Sequence, residues 1–266
     1  MITRHQGSLK YLQFENLQDY PLVQGIFTRQ GGVSPPPWSS LNIGGTVADQ
    51  PERVLENKQR LLAAVGFEPQ ETYEVWQVHS AKVVKAEAPL KSFQGIQKAD
   101  AIITDQPGLL LLMRFADCVP IFLYDPVHRA AGMVHAGWKG TASRAASTAV
   151  RAMRDHFGTV PEDVLAGIGP SIGPDHYQIG KEVVEAYESS FGNRAAELYE
   201  EEDGLVKLNL WAANELDLNE VGVEQVEVAG ICTACHLDDW YSHRRERGET
   251  GRFGAVLGLR DTENNG

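Results

Sequence analysis

The chain has 266 residues, 42% of them hydrophobic and 23% charged, with a formal net charge of −12. That length buries a full core without disulfide staples. A surface so acidic argues against nucleic acid as a partner, because neutralising many phosphates takes basic patches; a small anion held by a few arginines stays open. Three cysteines do not make a disulfide framework and fit free thiols in a reducing compartment. The opening MITRHQGSLKYLQFENLQDY lacks the apolar core of a secretory signal, and GLLLLM at 108–113 is too short to cross a membrane. A cytoplasmic protein without a membrane partner is expected; the oligomeric state is not legible.

In chain order, GGVSPPPWSS at 31–40 is a loop, since Gly-Gly and three prolines remove helix and central-strand conformations. PERVLENKQRLLAAVG follows as a helix, with Pro51 in its first turn, an apolar stripe from Val54 to Val65, and Gly66 as its stop. Strands are expected at YEVWQVH, AKVVKA, AIIT, LLLLM, PIFLY and AAGMVH. A second helix covers KGTASRAASTAVRAMRDHFG and a third lies around KEVVEAYESSFG, with later strands at VLAGIG, VEVAGI and FGAVLGL. Strands interspersed with helices, and no repeat or linker, favour a layered α/β domain.

His79 closes YEVWQVH, Cys118 precedes PIFLY, and His135 closes AAGMVH. Two imidazoles and a thiolate suit zinc, and three protein ligands leave a fourth position open. The spacing matches no short zinc motif, and a buried thiol with two core histidines is the bland alternative. The same residues also read as a nucleophilic pair, Cys118 with His135 as base and Asp117 or another polar group orienting it; both readings need a lowered thiol pKa. Near the C-terminus, CTACH has the C-x-x-C-H form of a haem attachment site. With no export signal and no second C-x-x-C, Cys232 and Cys235 read as incidental thiols. Arg29 before a Gly-Gly loop and the run WYSHRRERGETGRF, with Arg244 and Arg245, offer guanidinium for phosphate or carboxylate; a solvated face balanced by Glu246 and Glu249 is the alternative. GIGPSIGPDHYQIG is a Gly/Pro loop and not a dinucleotide fingerprint.

QVHSAKV, ADAIIT, ADCVPIFLYDP, HAGWKGT, GIGPSIGPDHYQIG and CT…WYSHRRERGETGRFGAVLGL occur in one order. In this the chain resembles the YfiH family of laccase-domain, multicopper polyphenol oxidase-like proteins, from about Phe27 to Leu259. The resemblance implies one α/β domain over 1–266, with mixed sheets sandwiched between helices. It implies that His79, Cys118 and His135 form the metal and catalytic site. It also implies zinc-dependent phosphorolysis of adenosine, inosine and S-methyl-5'-thioadenosine, with adenosine deamination beside it, on a nucleoside and phosphate as small-molecule partners. Peptidoglycan-precursor editing, an amidase reaction, is the alternative from another class. Copper oxidase chemistry is the lesser one, because it needs paired histidine clusters and this chain has eight scattered histidines. Ser171 stands where many relatives are expected to carry cysteine.

Overall fold

Several strands of this chain are apolar on both faces, so each must be covered twice. The structure, a computed structural model that describes residues 1–90 and 95–261, answers this with two stacked six-stranded sheets. The first contains β1 (Ile2–Gln6), β2 (Leu9–Gln13), β3 (Leu22–Phe27), β4 (Thr72–Glu74), β7 (Leu110–Phe115) and β15 (Phe253–Leu259), in the order β1-β2-β3-β15-β7-β4. The second contains β5 (Val83–Lys85), β6 (Ala101–Thr104), β8 (Val119–Asp125), β9 (Ala130–Ala136), β10 (Leu165–Ile168) and β14 (Gln225–Val228), in the order β14-β10-β8-β9-β6-β5. Both are mixed: β4 runs parallel to β7, β5 to β6 and β10 to β14, and the remaining pairs are antiparallel. A small third sheet joins β11 (Gln178–Ile179), β12 (Tyr199–Glu202) and β13 (Leu205–Leu208).

The period-two alternation of each strand sorts its side chains into different layers. Leu111 and Met113 of β7 meet Phe122 and Met133 of β8 and β9 in a core between the sheets. Leu110 and Leu112 point the other way, onto Leu61 and Leu62 of α1 (Pro51–Ala64). Ile121, Leu123 and Val134 face away from the first sheet, onto α3 (Ala145–Phe157), α4 (Lys181–Phe191) and α5 (Leu210–Glu220). The result is one α/β domain of four layers, helix–sheet–sheet–helix, as the resemblance implied. Among the described residues, no helix is long and apolar enough to cross a membrane. Residues 262–266 of the expected domain lie outside the described residues.

Strands β1–β3 and β11–β13 had no counterpart in the sequence reading, and three further elements differ from it. The strand expected to end at His79 stops at Glu74, and beyond it Trp76 makes only an isolated bridge to Lys98. Further along, the carboxylate of Asp100, from another part of the chain, takes the amides of Val78, His79 and Ser80, which are then lost to a ladder. The second helix is two, α2 (Trp138–Ala142) and α3, broken where Arg144 adopts φ 59°. Its side chain there reaches Ser190, Asp217 and Glu220, partners a continuous helix would not present. Helix α5 had no expected counterpart, because its buried face mixes the polar Asn214 and Asp217 with Leu210, Ala213, Leu216 and Leu218 and so shows no clean apolar stripe. Asn209 caps it, accepting from the Ala212 amide at 3.1 Å.

Candidate metal and catalytic site

The three predicted residues arrive from three different places. Cys118 sits just ahead of β8 and His135 near the end of the adjacent antiparallel β9, where it faces Pro120. His79 lies in the loop after β4. Their ligand atoms all fall within 4.8 Å of one another, and the two imidazole rings meet edge-on with centroids 4.9 Å apart.

Two aspartates hold this geometry. Asp100, fully buried, accepts from the amides of residues 78–80 and from the Ser80 hydroxyl at 2.8 Å. It also meets His135 Nδ1 at 2.8 Å, while its backbone carbonyl accepts from the His135 amide at 2.7 Å. His79 is thereby kept at φ 62°, a conformation that non-glycine residues adopt only when their surroundings impose it. Engaging Nδ1 of His135 leaves Nε2 as its free ligand atom. Asp117, also left-handed at φ 77°, accepts from the Thr233 hydroxyl at 2.7 Å and the Arg244 amide at 2.6 Å, and its carbonyl accepts from the Ile172 amide. Cys118 is thus anchored to two C-terminal segments far away in sequence. Gly137 must be glycine, because a Cβ there would lie 2.8 Å from Cys118 Sγ and 3.2 Å from His79 Cδ2.

The electrostatics couple the group. Burial pushes the Cys118 thiol up, but the charge of His135 and hydrogen bonds from His135 and His79 outweigh it and bring the pKa down to about 6. Burial likewise lowers His135, yet the Cys118 thiolate and Asp100 raise it to about 9. Asp100 is pushed up by burial and held down to about 2 by His135 and Ser80. The three groups therefore favour one another's charged forms. The set fits zinc by donor chemistry: one thiolate and two imidazoles, one already oriented by a carboxylate, with no fourth protein ligand in the group.

The cluster opens into a cavity of about 770 Å³. Its walls carry the flat rings of Trp76, Trp138 and Tyr177 and the cations Arg114, Lys139, Arg244 and Arg252. Arg114 is paired with Glu74. Arg244 stacks on Tyr177 at 4.9 Å and donates to the Gln178 carbonyl. Burial lowers the pKa of Arg252, with the Cys118 and Asp117 charges pulling it back up. Of the arginines singled out from sequence, Arg244 and, from the same WYSHRRERGETGRF run, Arg252 are among the lining residues. Arg29 is spent on structure: its guanidinium donates to the carbonyls of Ser39, Leu237 and Trp240, pairs with Glu246 at 3.1 Å and lies over Tyr241. Arg245 is exposed, its amide donating to the Ser242 hydroxyl. Asp100, Arg114 and Lys139 were not legible as site residues in the sequence. Asp100 had one usable signal, a carboxylate at the mouth of the strand AIIT.

Fold and cavity together define a single-domain α/β protein with a histidine–cysteine cluster in a pocket that cations also line. The family model described as multi-copper polyphenol oxidoreductase laccase matches residues 23–260. The purine nucleoside phosphorylase of Deinococcus radiodurans is 40% identical over 235 residues, 87% of each chain; purine nucleoside phosphorylase YlmD of Bacillus subtilis is 31% identical over 254 residues, covering 92% of this chain and 91% of its own. The crystal structure of YlmD from Geobacillus stearothermophilus superimposes with a TM-score of 0.91 at 31% identity, over 98% of this chain and 99% of the other. That of Bacillus licheniformis YfiH gives 0.90 at 31%, over 97% and 99%. The chain belongs to the YfiH family of laccase-domain proteins.

Proposed function

We propose that the chain is a zinc-dependent, cytoplasmic purine nucleoside phosphorylase acting on adenosine, inosine and S-methyl-5'-thioadenosine, with adenosine deaminase activity at the same site. Support comes from relatives that carry the phosphorylase name. The observation that carries the reading is the cavity, where a ligand cluster, flat rings and cations converge in a chain of net charge −12. His79, Cys118 and His135 would hold the zinc, which when bound supplies a Lewis acid that polarises a substrate oxygen or water. Trp76, Trp138 and Tyr177 offer stacking faces for the purine. Arg244 and Arg252 grip phosphate, whose oxygen attacks the anomeric carbon as the bond to the purine breaks. His243, which also lines the cavity, is suited to protonate the departing base. Asp100 keeps His135 in one tautomer throughout. In deamination, water replaces the purine amino group and ammonia leaves.

A second reading has its own observation. Cys118, His135 and Asp100 form a row with a thiol pKa of about 6, the arrangement of a cysteine nucleophile with an oriented base. This suits an amidase acting on a peptidoglycan precursor. Copper oxidase chemistry has less support, since the cavity cluster offers two histidines and one cysteine where several coppers need more. A product assay on metal-quantified protein separates these. Ribose 1-phosphate and adenine, formed from adenosine only with phosphate, support the phosphorylase, and inosine supports the deaminase. Release of L-serine from precursor with no action on nucleosides replaces the proposal by the amidase.

A further inference from the structure

The C-terminal cysteines, read from sequence as incidental thiols, are not isolated. Cys232 and Cys235 meet Asp175 and His176, and the four ligand atoms lie within 4.8 Å of one another. His236, the histidine of the C-x-x-C-H motif, is not in the group. We propose that Asp175, His176, Cys232 and Cys235 form a second metal site, a closed four-ligand one that takes a zinc-class divalent ion and clamps two loops together.

The distances are those of a tetrahedron's edges. With metal–sulfur bonds of about 2.3 Å and metal–nitrogen or –oxygen bonds of about 2.0–2.2 Å, tetrahedral angles place donor atoms roughly 3.4–3.8 Å apart. Sγ of Cys235 lies 3.5 Å from His176 Nδ1 and 3.5 Å from Asp175 Oδ2. Sγ of Cys232 lies 3.8 Å from the same His176 nitrogen. The Asp175–His176 approach, 2.9 Å, is the one edge that must open slightly.

The backbone around the sulfurs supplies an independent sign. The Cys235 amide donates to the Cys232 carbonyl at 3.2 Å, closing the C-x-x-C turn, and the Gly173 amide donates to Cys232 Sγ at 3.2 Å. That N–H fixes the Cys232 sulfur beside the partner loop. The partner loop is already tied on: Ser171 bridges Cys232 in parallel, its amide donating to the Ile231 carbonyl and its carbonyl accepting from the Thr233 amide. A full set of two thiolates, an imidazole and a carboxylate leaves no open position, which marks a structural and not a catalytic site. Its position gives it a purpose. Ile172 and Tyr177 of the clamped loop line the catalytic cavity, and Thr233 holds Asp117 next to Cys118.

The test is metal stoichiometry and cobalt spectroscopy on the full chain, expressed with zinc. Wild-type protein should hold two zinc ions per chain, Cys118→Ser one, and Cys118→Ser combined with Cys235→Ser none, with far-UV circular dichroism unchanged. Cobalt(II) loaded into Cys118→Ser should give thiolate-to-metal charge transfer and intense tetrahedral d–d bands, both lost with Cys235→Ser. Should the added substitution unfold the chain, His176→Ala in the Cys118→Ser background reads the same loss. A folded Cys118→Ser protein that holds no zinc, cobalt bands without thiolate character, or a Cys232–Cys235 disulfide in zinc-replete anaerobic protein would each overturn the proposal.

Discussion

Asp100 is the residue on which the cluster depends, yet it is not one of the expected ligands. It serves His135 through Nδ1 and His79 through the loop amides, so it acts on two ligands at once. Asp100→Asn keeps the size and removes the charge that orients His135 through Nδ1 and strengthens its other ring nitrogen as a metal donor. Zinc affinity measured by chelator competition should fall roughly ten- to a hundredfold, the usual consequence of losing an outer-shell carboxylate. Unchanged affinity would mean that the loop geometry alone suffices. The arginines divide between site and fold. Arg244→Ala should raise the phosphate Michaelis constant roughly ten- to a hundredfold, the loss of one charge-assisted contact of about 1.5–3 kcal/mol, and leave phosphate-independent deamination closer to wild type. Arg29→Ala removes the hydrogen bonds to Ser39, Leu237, Trp240 and Glu246. It should lower the melting temperature with little change in that constant. Steady-state kinetics and thermal unfolding of the two variants decide this, and the reverse pattern would return the anion to Arg29.

At the scale of elements, short β4 is held in place by charge. Glu74, 4% exposed, pairs with Lys58 of α1 and Arg114 of β7, tying helix and sheet beside the cavity. Burial raises its carboxyl, but the charges of Arg114 and Lys58 prevail and hold the pKa below its ordinary 4.5. A depressed folded value means the stabilisation is complete above about pH 4.5 and is lost as pH falls through the folded pKa. Glu74→Gln should cost about 3–5 kcal/mol at neutral pH, because two cations lose a buried partner. The acid limb of its stability curve should also be shallower; denaturant titrations from neutral pH down to pH 3 would show both. The strand itself was legible in YEVWQVH only as far as Glu74. The loop from Val78 to Ser80 is shaped by Asp100, a residue from another part of the chain, and no periodicity can announce a contact of that kind. The break at Arg144 is similar: KGTASRAASTAVRAMRDHFG is helical by pattern, and the interruption is offset by bonds to Ser190, Asp217 and Glu220 on other helices.

For the whole molecule, the decisive event is the stacking of the two sheets. Phe14, fully buried, wedges between them, edge-on to Phe122 at 5.4 Å. It also packs over Gly167 of β10, where a Cβ would come within 2.5 Å of the ring. Gly167→Ala therefore overpacks the seam and should destabilise by about 1–3 kcal/mol, read as a lower denaturation midpoint. An unchanged midpoint would show that the ring can move aside. Strand β15 joins distant parts of the chain as well: it comes from the end of the described residues, yet it lies between β3 and β7.

Taken alone, the sequence carried the α/β class, most strands and the helix at 51–64, because alternation and helical stripes are local consequences of burial. Through its ordered motifs it also pointed to His79, Cys118 and His135 as one site. Only the tertiary structure decided which charges serve that site and which serve the fold. Arg29 and Arg244 look alike in sequence, but one is satisfied by Glu246 and three carbonyls while the other lines the cavity. The four-residue group at Asp175, His176, Cys232 and Cys235 was invisible for the same reason. Its halves lie far apart in the chain, and they are joined by the parallel bridge from Ser171 to Cys232, a long-range pairing that no local pattern encodes.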